Sequence, residues 1–230
     1  MVEQEDWKKR VFVAYCSQDR RLVNAISDSL KNVDLIPLIA EDIGSANIPL
    51  PIKASLGITE SLHFVPIFTQ LSMNEQWLNQ ETGFAYGLEH LYKLQFDNEL
   101  QVPFPILRNT IKKIGPFLNP IEIYPIVETQ IAKELKGWVN KDIEYIPLES
   151  SDFSFTIFNL LSQIRRRLES RYGIFLTIII KCPNCGFQFR GQMPTQDELN
   201  TAVKAKDYMQ WDCQQCLQPI KVNPFTFNVD

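Results

Sequence analysis

Two periods of apolar residues alternate along the first two thirds of the chain. Runs that are apolar on both faces, as buried parallel strands must be, occur at 11–15 and 63–69. Residues 35–40 give another strand, where Pro37 suits an edge position because it has no N–H to offer a second neighbour. Two more strands are predicted at 102–107 and 121–127. Stretches with the helical period lie between them. Leu22, Val23, Ile26 and Leu30 share one face, with Ser17 placed as a cap. A short helix is predicted at 52–61. Leu78, Thr82, Ala85 and Leu88 line a helix over 77–93, and 129–140 reads as a further helix. Residues 41–51 form a polar loop punctuated by Gly and Pro. Strands and helices in this order predict an α/β fold, a parallel sheet covered on both faces. Five strands in about 140 residues fit the flavodoxin-like doubly wound class, whose common strand order is 2-1-3-4-5.

Beyond residue 150 the pattern changes. Ser151 and Asp152 can cap an amphipathic helix whose apolar face carries Phe153, Ile157, Leu160, Leu161, Ile164 and Leu168. Arg165, Arg166, Arg167 and Arg171 crowd its last turns, and Gly173 is a stop signal. The arginines read either as a solvated helix end that complements the dipole or as a contact for nucleic acid. An apolar run at 174–180 follows.

Next come two pairs of cysteines, Cys182 and Cys185, then Cys213 and Cys216, with 27 residues (186–212) between them. A CxxC turn presents two thiolates to one side of a metal, and two such turns complete a tetrahedron of soft ligands. Gly186 permits the tight turn after the first pair. Free thiols and a redox-active pair are the alternatives; a redox CxxC usually occurs once, at a helix start beside a sheet. The spacing favours structural zinc held by four protein ligands, in a module that resembles a zinc ribbon. Such a module binds nucleic acid or protein, or braces its neighbour. Lys181, Arg190, Lys204, Lys206 and Lys221, with Phe187, Phe189 and Trp211, are compatible with any of these. Cys16, outside the quartet, reads as a small buried hydrophobe.

Composition narrows the function classes. With 23 basic and 27 acidic side chains the net charge is −4, which argues against a chain-wide nucleic-acid surface. The acidic start lacks a secretion signal, and the longest apolar run is far short of a membrane span, so a cytoplasmic protein without a membrane partner is expected. Two histidines leave no room for a His-based triad or an HExxH site. His63 falls in a buried strand, and His90 lies off the face of Glu81. Neither a Walker loop nor a dinucleotide fingerprint is present.

The N-terminal motifs resemble a Toll/interleukin receptor (TIR) domain over about residues 10–140. Val11-Phe12-Val13-Ala14-Tyr15-Cys16-Ser17-Gln18-Asp19 resembles the family's opening strand. Glu41-Asp42-Ile43-Gly44 sits where the family has its BB loop, and Phe64 to Thr69 matches its third strand. Ser72 followed by Trp77-Leu78-Asn79-Gln80-Glu81 resembles the family's S…W-x-x-x-E signature. Departures are Cys16, a shortened helix after the BB loop, and the segment 96–120. The resemblance divides the chain into a TIR domain (8–148), a linking helix (150–173) and the ribbon (174–230). It implies either a scaffold that assembles with other TIR domains or an enzyme that cleaves NAD+ at the nicotinamide–ribose bond. Prokaryotic examples of such enzymes serve in antiphage defence and act as oligomers. By resemblance, Glu81 is then the catalytic carboxylate.

Physical reading adds roles around it. Trp77 and Glu81, four apart, share a helix face, so the indole can wall a flat ring while the carboxylate faces a ribose. Tyr15, Ser17, Asp42, Gly44 and Trp77 are the candidate nucleotide-binding residues, with Ser17 near a phosphate and Gly44 and Ser45 lending the loop mobility. The plainer roles remain open: a core tryptophan, a strand-end tyrosine, a capping serine.

Overall fold

The structure, a computed structural model, describes residues 6–44, 47–96, 119–132, 144–149 and 152–229. The strand expected at 102–107 lies outside these residues, as do most of the helix expected at 129–140, Ser45 and Ser151.

The described chain is α/β with a parallel central sheet. Its strands are β1 (Arg10–Ala14), β2 (Ile36–Leu38), β3 (His63–Phe68), β4 (Glu122–Ile123), β5 (Ile126–Glu128) and β6 (Ile146–Leu148). The order is β2-β1-β3-β5-β6, with β4 also pairing β3, and each of these pairings is parallel. The single strand expected at 121–127 is two. β3 pairs Phe64 with Ile123 and next Ile67 with Ile126, so Pro66 and Pro125, which cannot donate to a ladder, fall in the interruption. β6 was not expected from the hydrophobic pattern. It has the same Ile-Pro-Leu sequence as β2, and the two form the opposite edges of the sheet, where a missing N–H discourages further pairing.

Among the described residues four helices cover the sheet: α1 (Arg20–Asn32), α2 (Leu50–Thr59), α3 (Gln76–Phe96) and α4 (Ser154–Arg167). Strand alternation sorts the core. Val11, Val13, Val65 and Ile67 pack with Leu22, Ile26 and Leu30 of α1 and Ile157, Leu161 and Ile164 of α4. Phe12, Ala14, Phe64 and Phe68 pack with Ala54 and Ile58 of α2 and Leu78 and Ala85 of α3. Gly57 lets α2 lie against Phe12, since a Cβ there would come within 2.4 Å of the ring. Ser17 does not cap α1: it opens a single 3-10 turn, the helix starts three residues later, and Asp19 occupies the N-cap position.

After α4 a five-residue π-helical turn, Leu168–Tyr172, ends on Gly173 at φ +63°. Two antiparallel hairpins follow, β7 (Thr177–Lys181) with β8 (Gln188–Gln192) and β9 (Met209–Asp212) with β10 (Pro219–Val222). Helix α5 (Gln196–Ala205) joins them, started by a Thr195–Glu198 capping box. Ile178, Ile180, Phe189, Ile220, Val222 and Phe227 belong to the same apolar cluster as α1 and α4, so the core runs without a break into the hairpins. Arg190 bridges to Asp34 at 3.1 and 3.2 Å, and Asn228 accepts from Asn32 at 2.7 Å. Among the described residues no helix is long and apolar enough to cross a membrane.

Candidate active site and metal centre

Glu81 lies in the second turn of α3, on the buried face it shares with Leu78 and Ala85, and is only 6% exposed. Burial is the main force on its carboxyl group and pushes it up to about 7. The Trp77 indole N–H donates to the carboxylate and partly opposes that rise, while the nearby negative charge of Glu41 adds to it. Trp77 itself is half-buried against Phe12, Phe64 and Leu78, so the i to i+4 spacing serves both packing and the hydrogen bond.

The end of β1 reaches the same place. Tyr15 Oη donates to Glu41 Oε1 at 3.2 Å and accepts from Arg20, which also feels Asp42 and Glu41. Desolvation raises the Tyr15 hydroxyl above its ordinary range. Tyr15, Asp42, Trp77 and Glu81 thus belong to one electrostatic group. Ser17 is exposed just past β1, and Gly44 takes φ +66° in the loop after Asp42, with Ile48 3.1 Å from where a Cβ would stand. Arg20 and Glu41 were missed as site residues. Their signal was charge beside the predicted strand end and loop, which polar surface residues also show. Ser72, of the S…W-x-x-x-E pattern, is buried and braces the turn after β3, accepting from Thr69 N–H at 2.7 Å. Cys16 is buried, with its thiol 3.8 Å from Glu75 Oε1.

This arrangement places a nearly buried carboxyl group, half ionised near neutrality, beside an indole and without a cation among the described residues paired to it. Such a group can exchange a proton at neutral pH or stabilise a positive charge that approaches it.

Arg165, Arg166 and Arg167 stand in the last turn of α4 as expected, and three of the four arginines are in addition paired within the fold. Arg167 and Arg171 bind Glu122 at 3.2 and 2.8 Å, and Arg165 binds Glu169 at 2.7 Å and the Pro194 carbonyl. These side chains tie α4 and its π turn to β4 and to the segment before α5. His63 is fully buried in β3, its Nε2 on the Lys8 carbonyl at 3.1 Å, and burial drives its pKa down to about 3. It is a neutral core residue.

The four C-terminal cysteines converge. Their sulfurs all lie within 4.8 Å of one another, and the Cys182–Cys216 and Cys185–Cys213 separations are both 3.6 Å. A tetrahedron with metal–sulfur bonds of about 2.3 Å has edges of roughly 3.8 Å, so the quartet could hold a metal ion and is compatible with structural zinc. Each knuckle is built alike. In the first, Gly186 N–H donates to the Cys182 carbonyl and Cys182 N–H to that of Phe187. In the second, Leu217 and Cys213 make the same bonds to Cys213 and Gln218. Gly186 and Leu217 are both left-handed, at φ +74° and +60°. Backbone N–H groups point at the sulfurs: that of Gln218, with Asn184, lowers Cys216 to about 6, and that of Cys216 lowers Cys213. Cys185 shifts the other way. The Phe187 N–H lowers it, yet desolvation and its three thiol neighbours push it up to about 12. Four thiols this close cannot all ionise without a cation between them.

A third turn of the same form follows without cysteines. Phe227 N–H donates to the Asn223 carbonyl and Asn223 N–H to that of Asn228, with Phe227 at φ +58°. Asn223 Oδ1 accepts the N–H groups of Phe225 and Thr226, as the Cys213 sulfur accepts those of Gln215 and Cys216 in the second knuckle. Compared with known proteins, the chain matches no family model and no curated protein.

Proposed function

We propose that the chain is a TIR-type NAD+ glycohydrolase or cyclase with Glu81 as its catalytic carboxylate, on a flavodoxin-like sheet braced by a zinc ribbon. The observation that carries this reading is Glu81 itself, buried beside Trp77 with its carboxyl group held near 7 and no cation paired to it among the described residues. The substrate's nicotinamide nitrogen is positively charged, and its approach favours the ionised carboxylate. The C–N bond breaks with its electron pair passing to nicotinamide, which leaves neutral and needs no general acid. Positive charge develops on the ribose, and Glu81 stabilises it. Water then adds to the ribose carbon and loses a proton, or a nucleophile of the same ADP-ribose closes a cyclic isomer. Trp77 walls the nicotinamide ring; Tyr15, Ser17, Asp42 and Gly44 border the nucleotide. The zinc is structural, the compartment the reducing cytoplasm, and the setting prokaryotic antiphage defence.

A second reading, a TIR module that only assembles, is favoured by one feature. Ile52 and Leu56, one turn apart, leave an apolar strip of α2 exposed, and Leu50 is exposed at its first position. Self-association through this face also fits an enzyme that acts as an oligomer. Concentrated protein incubated with NAD+ separates the readings: nicotinamide release that disappears in Glu81→Gln supports the enzyme, and no release from an assembled wild-type protein leaves the scaffold. A ribbon that contacts nucleic acid or a protein partner would add binding without altering that outcome.

A further inference from the structure

We propose that a cavity at the carboxyl ends of β1, β3, β5 and β6 is a binding site for a small organic ammonium ion with an apolar body, such as an alkylamine. Most of its polar wall consists of strand ends and the loops that follow them. Asp19 comes after β1, Thr69 and Gln70 follow β3, Glu128 ends β5 and Leu148 ends β6. In open parallel α/β sheets this is where ligands bind, because the loops diverge there and leave a crevice. Its volume is about 250 Å³, enough for a ligand of several heavy atoms and below that of most cofactor sites.

The lining selects the chemistry. Asp19 and Glu128 supply two carboxylates, each pinned through one oxygen: Asp19 Oδ2 accepts from the Thr69 hydroxyl at 3.0 Å, and Glu128 Oε2 from Gln70 N–H at 2.7 Å. Among the described residues neither forms an ion pair. Desolvation, together with the charge of Glu128, raises Asp19 above the ordinary carboxylate range, and among the described residues no cation offsets the pair. Among the described residues Arg21 is the single cation in the lining; it is exposed and pairs with neither acid, which leaves these residues with one net negative charge. Gln18 also lines the cavity, and Leu22, Leu71, Leu148 and Phe153 give it an apolar side that a hard metal ion, which takes six or more oxygen ligands, would leave unused. A nucleotide phosphate would meet the two acids. An ammonium group between the carboxylates with its hydrocarbon against Leu22 and Phe153 satisfies both halves of the site. The cavity shares no lining residue with the Glu81 group, and Leu22 and Leu148 belong to the α1–α4 side of the core while Trp77 belongs to the α2–α3 side. The proposal therefore does not depend on NAD+ cleavage.

Titration of the full chain with n-pentylammonium, followed through backbone amide shifts, tests it. Saturable shifts at Leu22, Gln70 and Leu148 are expected. Binding should be at least tenfold weaker for 1-pentanol, which has the same chain without the charge. The Asp19→Asn, Glu128→Gln double variant should lose tenfold or more while keeping its dispersed spectrum. No saturable shift, equal binding of pentanol, or shifts produced by calcium but not by the amine would overturn the proposal. The amine–alcohol comparison needs no variant and decides even where the double substitution fails to fold.

Discussion

Glu81 and Glu122 are the same side chain in two opposite settings. Both are buried, 6% and 8% exposed. Glu122, at the start of β4, receives Arg167 and Arg171, so its charge is neutralised within the fold. Glu81 receives one indole N–H, faces a second carboxylate in Glu41, and is pushed up to about 7. The first arrangement fastens α4 and its π turn to the sheet. The second keeps a carboxyl group where ionisation is costly, which a fold has no structural reason to maintain. A buried acid with its cations at hand is architecture; one without them is a candidate site.

Metal removal should have the largest effect and should separate the two acids. Structural zinc sites contribute on the order of 10 kcal/mol of binding free energy that is also folding free energy. The hairpins share their core with α1 and α4, so chelation should speed amide exchange in β7 to β10, α1 and α4, the Glu122 side, before α3, the Glu81 side. Faster exchange confined to the hairpins would show that the shared core carries no such coupling.

Glu81→Gln should stabilise the protein above neutral pH. The folded carboxyl is raised from 4.5 to about 7, so the folded state holds the extra proton between those values. Wild-type stability therefore falls as pH rises through that window, and the cost is fully present above it. The variant should gain up to ~3 kcal/mol at pH 8 and nothing below pH 4, read from denaturant unfolding at both pH values. Glu122→Gln should behave oppositely and lose stability at neutral pH. Its partners are partly exposed, 38% for Arg167 and 56% for Arg171, so the loss should be only roughly 1–2 kcal/mol. Equal signs for the two substitutions would erase the contrast.

The smallest expected effect belongs to Glu41→Gln. Removing this neighbouring charge should move the Glu81 titration to the acid side, visible as a shifted carboxyl resonance and as activity retained at lower pH. An unmoved titration would place Glu41 outside the group.

The alternation of Val11, Phe12, Val13 and Ala14, and the helical spacing of Leu22, Ile26 and Leu30, made the parallel sheet and α1 legible, because those residues face two different apolar layers. The four cysteines were legible as one site because CxxC turns impose their own geometry. β6 was hidden by Pro147 and its three-residue length; only its identity with the Ile36-Pro37-Leu38 edge could have signalled it. The Glu122–arginine latch joins residues far apart in the chain, and no local pattern pairs them. Arg20 and Glu41 join the site only because β1 and the loop after β2 end side by side.

The central claim is that Glu81 is a reacting group. Product analysis of concentrated wild-type protein and Glu81→Gln with NAD+, side by side from pH 6 to 8, tests it most directly. Nicotinamide release should rise with pH through about 7, as the carboxylate form accumulates, and fall at least 100-fold in the variant. Release that persists in Glu81→Gln, or none from a folded, metal-loaded wild-type protein, would contradict it.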